Sequence, residues 1–341
     1  MINNDINKAF IIAEIGQAHE GSLGIAHSMI EEVAACGADA IKFQTHIAEA
    51  ESSVYDKFRV EIPYNQDENR YSYWKRMEFT LEQWQGLKKH ANDLGLVFIS
   101  SPFSIEAVDL LEKINCQIYK IGSGEVGNQL LLNKILQTGK PVFLSSGMSN
   151  FNEIELVINL FSNTLTELVV FQCTTSYPCP LEKIGINLIK EYKNEFNIPV
   201  GFSDHSGSIF PSLAAYSCGA RFFETHVTFS KKMFGYDATS SLDFKEFKYL
   251  IKGLRENEVL LNNPVDKNSI SKEFNFLKTL FDRSVFVNRD IAIGEIIKLE
   301  DLTLKKPGGL DFAYKDLDSI VGRSTKKNLN KNDLLTKSDL I

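Results

Sequence analysis

The sequence has no long apolar run, no block of like charge and little cysteine, and each absence excludes a class of protein. Across 341 residues no stretch approaches the roughly 20 apolar residues of a membrane span. The N-terminus, MINNDINKAFIIAEIG, meets Glu14 after only a short apolar run, so neither a signal segment nor an anchor is expected. Lys and Arg number 37 against 44 Asp and Glu, a net charge of −7 with no basic tail or stripe, so nucleic acid is not an expected partner. That average does not exclude a local pocket where a few lysines receive a small anion. The five cysteines (Cys36, Cys116, Cys173, Cys179 and Cys218) form an odd set without C-x-x-C, which reads as reduced thiols and a cytoplasmic location. What remains, 43% apolar and 24% charged, is ordinary globular chain, long enough for an α/β barrel plus a small module.

Short β-type runs alternate with helix-period segments from the N-terminus onward, the pattern of a parallel sheet. The expected strands are Phe10–Ala13, Ala40–Phe43, Val97–Ser100, Ile118–Ile121, Val142–Leu144, Leu168–Phe171, Val200–Phe202 and Arg221–Glu224. Eight such units predict a (β/α)8 TIM barrel over residues 1–262, ahead of an open doubly wound sheet. A polar connector follows at 263–282. Residues 283–341 form a small, mostly β domain in which RDIAIGEIIKLEDL resembles KNLNKNDLLTKSDL, an internal pseudo-repeat. After the second strand there is room for about thirty extra residues. That insertion, 51–79, is rich in aromatics and charges; it reads either as a lid or substrate wall, or as a surface excursion or oligomer contact.

In such barrels chemistry gathers where strands run out at their C-terminal ends. Here those ends carry Glu14, Lys42, Gln44, Ser101, Lys120, Ser123, Glu125, Ser145, Ser203, His205, Glu224 and His226. A lysine inside an apolar strand needs an anionic partner, so Lys42 and Lys120 with neighbouring hydroxyls suit the phosphate and carboxylate of one small molecule. Pairing of the lysines to Glu14 and Glu125 for structure alone is the plain alternative. A Schiff-base lysine, as in a metal-independent pyruvate aldolase or lyase, is the chemical rival. His205 and His226 end adjacent strands and bring two imidazoles within reach of one divalent ion, with Asp237 or Glu224 to complete the set. General acid/base work or simple hydrogen bonding is the other reading of these histidines. A non-enzymatic carbohydrate-binding or antifreeze-like protein fails to explain so many ionisable groups on one rim.

The motifs AEIGQAHEGS, YKIGSGEVGN, LSSGMSN, QCTTSYPCP, GFSDHSGS and ETHVTFSKKMFGYDATSSLD, in this order, resemble those of the sialic acid (N-acylneuraminate) synthase family. RDIAIGEIIKLEDLTLKKPGG resembles the antifreeze-like (SAF) domain these synthases carry at the C-terminus. The resemblance covers nearly the whole chain. It implies a transferase that condenses phosphoenolpyruvate with an N-acylated amino sugar, giving a nonulosonate-type 2-keto-3-deoxy sugar acid and phosphate.

By the same resemblance, Lys42, Ser101, Lys120, Ser123, Ser145 and Ser203 hold phosphoenolpyruvate, and Glu14 lies beside the reacting carbons. His205 and His226 bind a divalent ion, Mn2+ foremost, with Mg2+ or Co2+ as alternatives. Gln44, Glu125, Tyr177 and Asp237 face the sugar or a metal-bound water. A domain-swapped homodimer is implied, in which the SAF domain caps the partner's barrel and Lys306 stands where the family reads arginine. Lysine lacks the planar fork of arginine. Ala18 and Gln172 also depart from the family's Asn and His. These changes, like the insertion, fall on the sugar side, which leaves sialic-, legionaminic-, pseudaminic- and amino-Kdo-like products open.

Overall fold

The computed structural model describes residues 7–60, 62, 64–162, 164 and 166–341. Glu61 and Pro63 of the insertion, and the N-terminal segment before Asn7, lie outside the described residues. The chain divides into two compact units, Met1–Asn263 and Pro264–Ile341.

The first unit is a closed parallel barrel. Its strands are β1 (Phe10–Gly16), β2 (Ala40–Thr45), β3 (Val97–Pro102), β4 (Ile118–Ile121), β5 (Val142–Ser145), β6 (Leu168–Gln172), β7 (Val200–Asp204) and β8 (Phe222–Thr228). Neighbours in sequence pair in parallel, and β1 closes the ring on β8, with Phe10 opposite Phe222 and Glu14 opposite His226. Alternation along each strand sorts the side chains into two populations. Ile11, Ala13 and Ile15 of β1 pack outward against helices such as α1 (Leu23–Cys36), in the large core between barrel and helices. Phe10 and Ile12 point inward, where they join Ala40, Ile99, Ile118, Phe143, Val169, Phe171 and Phe222.

The inner core is therefore an aromatic floor. Phe143 lies against Phe10, Phe171 and Phe222 at ring-centroid distances of 6.3, 5.1 and 5.5 Å. Gly201 makes room for Phe171: a Cβ there would sit 2.7 Å from the Phe171 ring. Above this floor the same inward positions turn polar, and that change of chemistry at constant register builds the mouth.

The insertion is not a free excursion. Helices α2 (Ala48–Glu51) and α3 (Arg70–Met77) pack as a separate small cluster of Ala48, Tyr73, Trp74 and Met77, with Phe58 and Tyr236 against it. Arg76 fastens it by ion pairs to Glu20 and Asp67 at 3.0 and 2.8 Å.

In the second unit, two short helices, Lys267–Glu273 and Asn275–Phe281, occupy the connector. Beyond them Ser284–Val287 pairs antiparallel with Leu302–Lys305 over a core that includes Val285, Ile291, Ile297 and Leu335. The pseudo-repeat has a physical counterpart. Asp301 and Asp339 occupy equivalent buried positions, each accepting a backbone N–H three residues back and each paired to the repeat's basic residue, Arg289 at 2.6 Å and Lys327 at 2.7 Å. Ile291 and Leu329, also equivalent, bridge the two copies.

Candidate active site

Inward register carries each strand's apolar floor into a polar layer: Glu14 follows Phe10 and Ile12, Lys42 follows Ala40, Lys120 follows Ile118, and Glu224 follows Phe222. The four ionisable groups meet although they come from four strands. Lys42 Nζ lies 2.7 Å from Glu14 and 3.8 Å from Glu224, and Lys120 Nζ lies 3.0 Å from Glu224. All four are buried. Two positive and two negative charges balance, which is how ammonium groups are tolerated at this depth.

Their environments nevertheless differ. Burial opposes the charge on Lys42, but Glu14 and Glu224 together hold its pKa above the usual lysine value. Lys120 lies 3.8 Å above the Phe171 ring; burial pulls its pKa down, Glu224 resists, and repulsion from Lys42 adds to the fall. Burial also opposes ionisation of Glu224, yet Lys120 and Lys42 keep its carboxyl well below the usual range. Hydroxyls complete the layer. Ser101 accepts from Lys42 at 3.2 Å, Ser203 donates to Glu224 at 3.1 Å, and the Gly147 N–H donates to Ser123 at 3.2 Å. Gly147 is required by close approach, since a Cβ would lie 2.4 Å from Thr175 Oγ1 and 2.7 Å from Ser123 Oγ.

Beside the lysines stand the two imidazoles, with ring centroids 5.4 Å apart. His205 Nδ1 bonds the Thr174 carbonyl at 2.9 Å, which leaves Nε2 free of that bond. Burial, with His226 adding to it, drives the His205 pKa down to about 4, so the ring is neutral near pH 7, the form that ligates metal. Asp237 Oδ2 is 3.9 Å from His226 Nδ1. Among the described residues no three His, Cys, Asp or Glu converge as a full ligand set, so an ion here would keep positions for water or substrate.

These groups line one cavity of about 550 Å³. Every site residue expected from the sequence lies on its wall except Lys306, which is exposed on the second unit with its Nζ 4.9 Å from the Phe281 ring. Glu125 is half-buried, bonded to Asn128 at 2.8 Å; burial raises its carboxyl's pKa against that bond. The insertion supplies the remaining wall. Arg59 lies 3.9 Å over the Tyr177 ring and bonds Asp237 at 3.0 Å, Tyr177 stacks on His205 at 4.2 Å, and Phe58 stacks on Tyr236 at 5.3 Å. Gln17, Glu51, Phe58 and Tyr236 were not legible as site residues from the sequence.

Fold and cavity together define an α/β-barrel enzyme whose mouth gathers two buried lysines and two buried carboxylates beside a pair of buried imidazoles. The chain belongs to the NeuB family, which matches residues 29–266, and residues 282–341 match the SAF domain. It is 33% identical to the N,N'-diacetyllegionaminic acid synthase of Campylobacter jejuni over 338 residues, 97% of this chain and 99% of that one. It is 31% identical to human N-acetylneuraminate-9-phosphate synthase over 331 residues, 96% and 91% of the two chains. The crystal structure of the sialic acid synthetase of Leptospira borgpetersenii, in complex with citrate, superposes with a TM-score of 0.70 at 29% identity, covering 81% of this chain and 93% of that one. The chain is accordingly an enzyme of the transferase class. No helix among the described residues is long and apolar enough to cross a membrane.

Proposed function

We propose that the chain condenses phosphoenolpyruvate with the open-chain aldehyde of an N-acylated amino sugar, giving a 2-keto-3-deoxy sugar acid and inorganic phosphate. The observation that carries this reading is the pair of buried lysines ringed by serine hydroxyls and backed by an aromatic floor, in the same cavity as His205 and His226. Lys42 with Ser101, and Lys120 with Ser123, Ser145 and Ser203, neutralise and orient the donor's carboxylate and phosphate. C3 of the donor attacks the aldehyde carbon, whose oxygen takes a proton. The positive charge left at C2 is met by water, and the C2–O bond to phosphate breaks. Glu14 stands where that charge develops, as its stabiliser or as the group that moves a proton.

His205 and His226 would hold a divalent ion, Mn2+ before Mg2+ or Co2+, which when bound would supply Lewis-acid polarisation of the aldehyde oxygen. Gln44, Glu125, Tyr177 and Asp237 face the acceptor. The enzyme acts as a homodimer in which each second unit, from residue 283 after the 263–282 linker, covers the partner's mouth and contributes Lys306. Exposed apolar side chains in the segments that follow β5 to β8, Met148, Leu181, Phe210 and Phe229, support such a cover. Five free thiols support a cytoplasmic location.

The test is phosphate release by the purified chain, which should require phosphoenolpyruvate, a hexosamine acceptor and a divalent ion, and should vanish in Lys120→Ala. A screen of acceptors read by product mass separates sialic-, legionaminic- and pseudaminic-type products. The depressed pKa of Lys120 favours one rival, a Schiff-base aldolase. Borohydride trapping of pyruvate on Lys120 with full activity in EDTA would replace the first reading with the second.

A further inference from the structure

Two side chains of the insertion, Glu51 and Trp74, converge on one imidazole at the end of β2. His46 is buried, with its ring stacked on Trp74 at 3.9 Å between centroids and, on its other face, on Phe103 at 4.6 Å. A ring gripped on both faces keeps only rotation in its own plane. Glu51 removes that freedom, with Oε1 2.6 Å from His46 Nδ1 and both side chains sequestered from solvent. With Nδ1–H donating to the carboxylate, Nε2 is left to accept.

Nε2 faces the amide nitrogen of Gln17 at 3.2 Å, the donor it can accept from, with Gln44 Oε1 beside it at 3.3 Å. That NH2 group has two protons, and its second partner is Gln44 Oε1. The carbonyl end of Gln44 is thereby fixed on the Gln17 side, and its own NH2 end is turned to Glu14, donating to Oε1 at 2.6 Å. The other oxygen of Glu14 faces Lys42 at 2.7 Å. Rotated by 180°, the Gln44 amide would present its oxygen to the Glu14 carboxylate, two acceptors face to face. The hydrogen-bond chain therefore decides which way Gln44 points, and through it where the Glu14 carboxylate is held.

We infer that Glu51, His46 and Gln17 are positioning residues for the reaction, acting through Gln44 on Glu14, and that the insertion holds His46 in register. The inference rests on the reading of Glu14 as the group beside the reacting carbons. None of the three need touch a reacting atom; they preset a carboxylate, and misplacement by about 1 Å in such a site costs on the order of 100-fold in rate.

The experiment uses the full chain with phosphoenolpyruvate, its acceptor and a divalent ion. Glu51→Gln keeps the shape but replaces an acceptor-only carboxylate with an amide that can accept from or donate to Nδ1, so the side chain no longer fixes which imidazole nitrogen carries the proton. Its kcat should fall roughly 10- to 100-fold, with KM for phosphoenolpyruvate and the thermal midpoint unchanged. In His46→Gly the slot between Trp74 and Phe103 is open, and added imidazole should restore kcat where pyrrole, equally flat but with one ring nitrogen, should not. Wild-type kcat in Glu51→Gln overturns the inference. Equal recovery with imidazole and pyrrole, or recovery with neither, also counts against it. If the wild-type chain releases no phosphate with any acceptor, the proposed reaction itself fails. If it is active and Glu51→Gln matches it, only the positioning role falls.

Discussion

Glu224→Gln removes one charge from the centre of the buried cluster and alters almost nothing else. Glutamine keeps the side chain's shape and an oxygen for Ser203, which donates to Glu224 at 3.1 Å in the native protein. What disappears is the anion 3.0 Å from Lys120 and 3.8 Å from Lys42. Lys120 is then left over the Phe171 ring with another ammonium nearby and no carboxylate of its own. Breaking a buried pair from one side costs about 3–5 kcal/mol, against a total stability of roughly 5–15 kcal/mol. At roughly 2–4 °C per kcal/mol for a unit of this size, the midpoint should drop by on the order of 10 °C.

The same substitution leaves two lysines facing only Glu14, so the cavity gains affinity for anions. Inorganic phosphate should therefore raise the variant's midpoint more than the wild type's; at 100 times Kd the gain is about 2.7 kcal/mol. The assay is thermal unfolding followed by circular dichroism, with and without phosphate, at matched ionic strength. Adding Lys120→Met to Glu224→Gln removes both charges and should recover most of the lost stability, though not activity. Equal midpoints in wild type and Glu224→Gln, or equal stabilisation of both by phosphate, would refute the charge argument.

Gly147→Ala drives a methyl group into Thr175 Oγ1, Ser123 Oγ and Cys173 Sγ at 2.4, 2.7 and 2.8 Å. It should cost about 1–3 kcal/mol in denaturant unfolding and raise KM for phosphoenolpyruvate, whereas an unchanged KM would place the donor elsewhere. Arg59→Ala removes the guanidinium from Tyr177 and Asp237; a loss of about 1 kcal/mol corresponds to a roughly five-fold rise in acceptor KM, with donor KM constant. His19 gives a pH signature. Burial first, then His46 and Arg76, hold its pKa down to about 3. Below the ordinary value near 6.5 the unfolded chain binds a proton that the native one refuses. Stability contributed by the neutral ring is therefore lost as pH falls from that value towards 3, by up to about 1.4 kcal/mol per unit. His19→Gln should flatten the slope of unfolding free energy against pH by one proton over that window.

The barrel was legible because each strand's centre is an apolar run between helix-period segments. The strand ends were not. β1 continues past Ala13 to Gly16, β2 past Phe43 to Thr45, and β8 past Glu224 to Thr228. Most of the added residues are polar, Ile15 and Val227 excepted, so apolar patterning stops short of them, yet they belong to the ladder because the barrel's mouth is where inward side chains meet the ligand space rather than the floor. The strand-end residues expected at the site are ones that parity can count: from Phe10 and Ile12 the inward series reaches Glu14, and from Ala40 it passes through Lys42 to Gln44.

Gln17 breaks that count for a local reason. Pairing of β1 with β2 shifts between Glu14 and Gly16, and Gly16 takes φ +53° at a point where a Cβ would lie 3.3 Å from His226 Nδ1. The irregularity turns the odd-numbered Gln17 into the cavity, where strict alternation predicts an outward side chain. Phe58 and Trp74 escape sequence reading for a different reason: they reach the mouth through contacts with Tyr236 and His46, far from them along the chain, and no periodicity encodes such pairings. The net charge misleads in a related way. An average of −7 includes exposed carboxylates that never meet the ligand, whereas the cavity's inner layer holds as many buried ammonium groups as carboxylates. On the proposed reaction, the donor's negative charge must therefore displace Glu14 or Glu224 from a lysine, or be matched by a divalent ion that His205 and His226 would hold. Of the two carboxylates, Glu14 is also held by the Gln44 amide on its other oxygen, so it can turn from Lys42 and keep a partner, whereas Glu224 is bound to both lysines and to Ser203.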